Sequence, residues 1–138
     1  MISLSLPFPP SLNCLFRNVT KRDGKPGGRI TTARYRTWLR AAKNEVLAQQ
    51  QIFIVGPVML TILLGRPDKC RRDCSNYIKA LEDLLVRCEL IEDDSLVQSL
   101  SVTWCDKVPA KTARVLVWPY TAERQRIKAT APLAEAAE

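Results

Sequence analysis

The longest uncharged apolar run of the chain covers residues 52–65 and contains Gly56 and Pro57. A membrane-spanning helix needs about 20 apolar residues, so this run is too short to cross a bilayer. It belongs in a protein core, and residues 57–64 read as a buried strand. Whatever else the chain builds must cover that strand. With 138 residues it can do so as one domain, without disulfides or a metal to hold it together.

The flanking segments supply the cover. Ile2, Leu4 and Leu6 alternate with Ser3 and Ser5, a strand period. From Thr32 to Gln50, the residues Tyr35, Trp38, Leu39, Ala42 and Val46 recur along one face of a helix. A second helix is predicted from Ser75 to Cys88, with Tyr77, Ile78, Leu81, Leu84, Leu85 and Cys88 on its core side. Residues 96–105 and 113–118 read as two further strands joined through 107–112. In the first, Leu96, Leu100, Val102 and Trp104 share one side. These elements predict a single α+β domain, a mixed sheet of about four strands with two main helices packed on it. The domain is assigned to residues 1–120. Residues 121–138, Ala- and charge-rich, are read as a tail, helical or disordered, without assigned function. Residues 17–31, which include Gly24, Pro26, Gly27 and Gly28, are read as a basic, mobile loop.

Charge is unevenly placed. Residues 1–50 carry nine basic side chains and two acidic ones, a difference equal to the net charge of +7. Arg66, Lys69, Arg71 and Arg72 form a second basic knot. Residues 82–94 then hold six acids and one base, Arg87. A basic half beside an acidic cluster suits a polyanionic substrate brought to a metal, and a solvated surface of mixed charge accounts for it equally well. There is no histidine, which excludes imidazole bases, His-based triads and imidazole-ligated zinc. Chemistry must come from carboxylates, lysine, hydroxyls or thiols. Five cysteines, an odd number, and an N-terminus lacking a signal-peptide pattern lead us to expect no disulfide framework and a cytoplasmic location. Cys70, Cys74 and Cys88 lack the paired spacing of zinc sites, and Cys74 and Cys88 read as small packing residues.

Three carboxylates stand out. Asp73 follows Arg71 and Arg72 at the start of the second helix, and Asp93 and Asp94 lie in the loop after it. That helix is about 20 Å long, so its ends meet only if a neighbouring element brings them together. Magnesium takes one or two carboxylates, with water and substrate phosphate completing its shell. It can activate water and neutralise charge at phosphorus. Lys79 is placed to stabilise a developing oxyanion, and shares a helix face with Asn76 and Asp83. Plainer roles stay open at this point. Asp73 is a natural N-cap, Lys79 and Asp83 have the spacing of an ordinary surface pair, and Asp93-Asp94 suits a turn.

The stretch from Arg71 through Asp73, Cys74, Ser75, Asn76 and Lys79 to Leu85, followed by Ile91-Glu92-Asp93-Asp94-Ser95-Leu96-Val97, resembles the RusA family of Holliday junction resolvases. The family pattern is a basic run, Asp-x-Asp-Asn, a Lys three residues after the Asn, and a later Asp-Asp before a strand. Leu6-Pro7-Phe8-Pro9-Pro10-Ser11-Leu12-Asn13 is similar to the family's proline-rich opening. Gly28-Arg29 with Tyr35 and Arg36 resembles its next segment. The resemblance runs in order across residues 2–118.

The resemblance implies a small homodimeric, magnesium-dependent endonuclease that binds four-way junction DNA and makes paired nicks, with no membrane and no small-molecule cofactor involved. It implies Asp73 and Asp94 as catalytic and metal-binding acids, Asp93 as a further metal ligand, and Lys79 as the catalytic lysine. Arg17, Lys21, Arg22, Arg29, Arg36, Lys69, Arg71 and Arg72 are the expected DNA contacts. One position departs from the pattern: the second Asp of Asp-x-Asp-Asn is Ser75 here. A neutral hydroxyl is a weaker ligand for a hard dication, so we expect weaker magnesium affinity or compensation near Asn76, from Glu82 or Asp83. The other class of function is a junction-binding protein that cuts weakly or not at all because of Ser75. Phe8, Phe16 and Trp38 are candidate wedges against exposed bases, although Trp38 lies in the apolar stripe of its helix.

Overall fold

The computed structural model describes residues 1–49 and 52–121. In chain order these form β1 (Ile2–Pro7), β2 (Phe16–Thr20), β3 (Pro26–Thr31), α1 (Ala33–Gln49), β4 (Val58–Leu64), α2 (Ile78–Arg87), β5 (Val97–Trp104) and β6 (Thr112–Pro119). β1, β6, β4 and β5 make a four-stranded sheet in that order, and β2 and β3 make a separate two-stranded ribbon. β4 and β5 run parallel, whereas β1–β6 and β4–β6 are antiparallel. The predicted α+β domain with a mixed sheet is therefore present.

β4 is the structural centre. It pairs on both sides, and Val58, Leu60, Ile62 and Leu64 are fully buried. Its parallel pairing with β5 requires a long crossover, which α2 provides. Ala80, Leu81, Leu84 and Leu85 of α2 meet Tyr35, Trp38, Leu39, Ala42 and Val46 of α1 in one core above the sheet. Trp38 is part of that core, and its indole N–H donates to the Pro7 carbonyl at 3.0 Å. It is not a surface wedge. Phe8 and Phe16 also pack against the core. At the outer edge of β1, the Gln49 side-chain amide both donates to and accepts from the Ser5 backbone at 2.8 Å. That fork satisfies polar groups a sheet edge would otherwise leave open.

Several expectations change. Residues 17–31 are not a loop but largely the β2–β3 ribbon, closed by a turn at Lys21–Lys25 with Gly24 at φ +80°. The apolar run 52–65 is only partly core. Gly56, at φ +81°, turns the chain so that the strand begins at Val58, leaving Ile52, Phe53 and Val55 exposed. The second helix opens with a 3-10 turn, Cys74–Tyr77, and becomes α-helical only at Ile78. β5 and β6 are joined through residues 105–111 but are not neighbours, because β4 lies between them. The connection crosses the end of β4 so closely that a Cβ on Gly65 would lie 2.1 Å from the Pro109 carbonyl oxygen. Leu100 sits level with Leu60, yet it is 42% exposed because β5 is the sheet edge. The tail assigned to 121–138 lies outside the described residues beyond Thr121. Among the described residues no helix is long and apolar enough to cross a membrane.

Candidate functional site

Lys79, in the first turn of α2, organises the site. Its ammonium lies 2.9 Å from Asp83 Oδ1 and 3.3 Å from Asp94 Oδ2. The contact with Asp94 joins the start of the helix to the loop after it, whereas Asp73, the other acid expected to meet Asp94, lines a different cleft from Lys79. Backbone geometry puts Asp94 there. Ile54 bridges Ile91, and Glu92 Oε1 accepts from the Gly56 amide at 2.7 Å. Asp93 then caps the 3-10 turn Asp94–Leu96, accepting from the Ser95 amide and hydroxyl. The hydrogen bonds from Ser95 hold the Asp93 carboxyl below the usual aspartate range. Asp93 thus serves the turn, and Asp94 faces Lys79.

The electrostatics around Lys79 are dense. The Asp83 hydrogen bond, reinforced by Asp94, holds its ammonium above the ordinary lysine value. Glu82 is pushed up by burial first and then by the negative charge of Asp94 and, to a smaller degree, Asp83. Glu82, Asp83 and Asp94 therefore share one field with one lysine between them. Asp83 has a further partner. The hydroxyl of Tyr35 on α1 donates to Asp83 Oδ2 at 3.4 Å. Burial, then the Asp83 charge, pushes that phenol up.

Lys79 also faces a cleft of about 620 Å3 lined by Leu12, Asn13, Phe16, Arg17, Asn18 and Arg29. The β2–β3 ribbon forms most of this wall. Arg29 stacks over the Phe16 ring at 4.2 Å, a cation–π contact that holds the guanidinium at the rim. Asp73 lines a second cleft, of about 650 Å3, with Ser11, Arg66, Arg71, Arg72, Asn76 and Tyr77. Asp73 occupies an N-cap position, but its side chain makes no cap hydrogen bond. Arg66 stacks over Trp104 at 4.6 Å on an aromatic group with Phe8 and Tyr77.

The expected DNA contacts divide by what already holds them. Arg17 and Arg29 share the cleft with Lys79, and Arg71 shares the other with Asp73. Lys21, Arg22 and Lys69 are exposed, the first two at the ribbon tip. Arg36 turns back onto Thr31, donating to its carbonyl and hydroxyl. Arg72 grips Asp68 through two hydrogen bonds, at 2.6 and 3.1 Å, and also donates to the Tyr77 hydroxyl at 3.3 Å. That pairing draws Asp68 from the ordinary aspartate value of 3.8 down to about 2. Tyr35, Asn13 and Asn18 do not stand out as site residues in the sequence, whereas Arg66 belongs to the basic knot with Lys69, Arg71 and Arg72. Tyr35 fits the apolar stripe of α1 so well that only its hydroxyl hinted at more.

Among the described residues no three Asp, Glu or Cys side chains converge to hold a metal ion. Magnesium does not require an all-protein cage, because one or two carboxylates with water and substrate phosphate suffice. The donors here are hard oxygens, and Asp73 is left uncapped. They are of the kind magnesium takes, although Asp73 lines a different cleft from Lys79, the partner of Asp94. Cys74 and Cys88 pack against the core, as expected for small apolar residues, and burial pushes the Cys88 thiol up.

The family model described as "Endodeoxyribonuclease RusA" matches residues 7–118, nearly the whole described domain. The chain belongs to the RusA family. It is 35% identical over 96 residues to the crossover junction endodeoxyribonuclease RusA of Escherichia coli O139:H28, covering 69% of this chain and 75% of that protein. It is 28% identical over 106 residues to the crossover junction endodeoxyribonuclease rusA of Enterobacteria phage HK97, covering 75% of this chain and 82% of the relative. The match spans the ribbon, both helices, β4, β5 and all of β6 but its last residue, and includes only Pro7 of β1. An endodeoxyribonuclease of this family acts on phosphodiester bonds.

Proposed function

We propose that the chain is a magnesium-dependent, structure-specific endonuclease that resolves four-way DNA junctions by paired nicks, acting as a cytoplasmic homodimer. The single observation that carries this reading is the Lys79–Asp94 contact, 3.3 Å long, in a cleft walled by Arg17 and Arg29 within a RusA-family chain. A two-fold dimer suits the near-symmetric junction, each subunit meeting one of two equivalent strands. Arg17, Arg29 and Arg71 hold backbone phosphates, which fixes the position of the strand without reading its sequence. Junction preference is a readout of shape and rests on dimer geometry.

The strand enters along the ribbon and presents a phosphate to Lys79. The ammonium shifts from Asp94 toward the phosphate oxygens and stabilises charge that grows there during attack by water. Asp94 is then free to orient that water. Asp73 and Asp94, with Glu82 beside Asp94, would hold magnesium, which supplies charge neutralisation and a more acidic water when bound. Products with 5′-phosphate and 3′-hydroxyl ends follow from attack at phosphorus with loss of the 3′ oxygen.

A second reading is favoured by Ser75 and by the lack of a three-acid cluster among the described residues. In it the protein binds junctions and cuts poorly. The test compares wild type with Ser75→Asp on a labelled four-way junction across a magnesium titration, with linear duplex as control. The resolvase reading expects junction-specific nicks from wild type and a lower magnesium requirement in the variant. Binding without nicks by wild type, with cutting only in Ser75→Asp, supports the second reading. Nicking of linear duplex as fast as junction would remove both. Equal, strong cutting by the two proteins would remove the idea that Ser75 is a handicap.

A further inference from the structure

We infer that Tyr35 and Asp83 are positioning residues for Lys79, forming a rigid anchor that keeps the ammonium in the cleft while its contact with Asp94 is exchanged for substrate. The inference deepens the nuclease reading and rests on it. An isolated Lys–Asp pair at i, i+4 on a helix surface is weak and interchanges freely with solvent. Asp83 has that spacing but is not isolated. Its side chain is 20% exposed, against 38% for Asp94. Its two oxygens have separate partners, Oδ1 facing Lys79 at 2.9 Å and Oδ2 facing the Tyr35 hydroxyl at 3.4 Å.

Tyr35 in turn has no freedom to follow. It is 0% exposed, and its ring packs edge-on to Phe16 at 5.9 Å and stacks with Trp38 at 6.3 Å. The Arg87 guanidinium lies 6.0 Å from the same ring. Orientation therefore passes from the core of α1 through the phenol to the Asp83 carboxylate, and from there to the ammonium. Lys79 has one short, half-buried contact and one longer, more exposed contact. An incoming phosphate competes with the exposed one. A long side chain held at one end meets the phosphate with less rotamer entropy left to lose. Phe16 also carries Arg29, so the ring stack that fixes Tyr35 continues into the wall that the DNA meets.

The test uses the full chain with Tyr35→Phe, Asp83→Asn and the double variant. Tyr35→Phe removes one oxygen and keeps the packing. We expect single-turnover junction cleavage to fall about 5-fold in Tyr35→Phe and at least 30-fold in Asp83→Asn, with junction affinity within 2-fold of wild type. The double variant should be no slower than Asp83→Asn, because the phenol acts only through that carboxylate. Multiplicative losses in the double variant, or affinity falling in step with rate, would overturn the inference. Acetic anhydride labelling read by mass spectrometry supplies a second measurement independent of cutting. Lys79 should label faster in both single variants, with Lys43 as the internal reference. Unchanged Lys79 labelling refutes the anchor even if wild type proves inactive, whereas wild-type inactivity with faster labelling refutes only the nuclease reading.

Discussion

Replacing Arg17 and Arg29 together by Ala should flatten the salt dependence of junction binding by a calculable amount. The two side chains lie on adjacent strands of the ribbon, Arg17 opposite Ile30 and Arg29 opposite Asn18, and both line the cleft that contains Lys79. Among the described residues neither forms an ion pair with an acid, and Arg29 rests on an uncharged ring. Each is therefore free to displace one condensed counterion from DNA. Counterion release contributes about 0.9 to the slope of log K against log salt for each phosphate neutralised, so losing two contacts lowers the slope by about 1.8. Between 50 and 200 mM salt, wild-type affinity should then fall about twelvefold more than that of the double variant. Fluorescence anisotropy on a labelled four-way junction in EDTA measures this without cleavage. Arg72→Ala is the internal control. Its guanidinium is held by Asp68 through two hydrogen bonds, so its loss should move the slope by less than about 0.5. An unchanged slope in Arg17→Ala/Arg29→Ala, or a larger change in Arg72→Ala, refutes the reasoning that free arginines at the cleft carry the phosphate contacts.

Asp94→Asn should abolish junction cutting while leaving binding intact or tighter, since a negative charge facing the phosphate is gone. Both partners of the Lys79–Asp94 pair are more than a third exposed, so the cost in stability should stay below about 1 kcal/mol, as a melting curve would show. Leu84→Ala removes a fully buried side chain of α2 and should cost about 2–5 kcal/mol in urea unfolding, without changing the salt slope of the protein that remains folded. Carbon-detected NMR titration should find Asp68 at about 2, lowered chiefly by its hydrogen bond from Arg72. A folded-state value below the unfolded one means that this contribution to stability is present above the ordinary aspartate range and is lost as pH falls toward about 2. In Arg72→Ala the Asp68 value should return toward 3.8, and a value that stays low would assign the shift elsewhere.

The periodic segments were legible because burial forces periodicity. The stripe of α1 and the apolar content of β4, broken only by Thr61, each had one arrangement that keeps apolar groups from water. The ribbon was not legible. Arg17, Asn18, Lys21, Arg22 and Lys25 give no alternating apolar pattern, and all six residues of β3 except Thr31 are exposed. The backbone pairing that makes it a ribbon leaves no trace in hydropathy. Lys79, Asp83 and Asp94 were visible as residue types, and Lys79–Asp83 as a helix pair. Their joining with Asp94 depends on the Ile54–Ile91 bridge, a contact between segments that look unrelated in sequence. Tyr35 was hidden for the opposite reason. One side chain satisfies the core with its ring and the site with its hydroxyl, and a hydropathy pattern registers only the ring.

The charge balance around Lys79 gives that lysine a task in the proposed reading. Glu82, Asp83 and Asp94 occupy a single field, as the raised Glu82 carboxyl shows, and three carboxylates facing a phosphodiester would repel it. One ammonium offsets part of that charge, and the arginines of the ribbon offset more from the rim. Ser75 then acquires a physical consequence beyond ligand number. A carboxylate at that position would deepen the negative field at the 3-10 turn that precedes α2, favouring a dication and disfavouring substrate when the dication is absent. On the proposed reading, serine lets DNA approach before the metal does. Order of addition therefore distinguishes this chain from a Ser75→Asp variant: the pre-bound junction should be retained in EDTA by the serine protein and released sooner by the aspartate one.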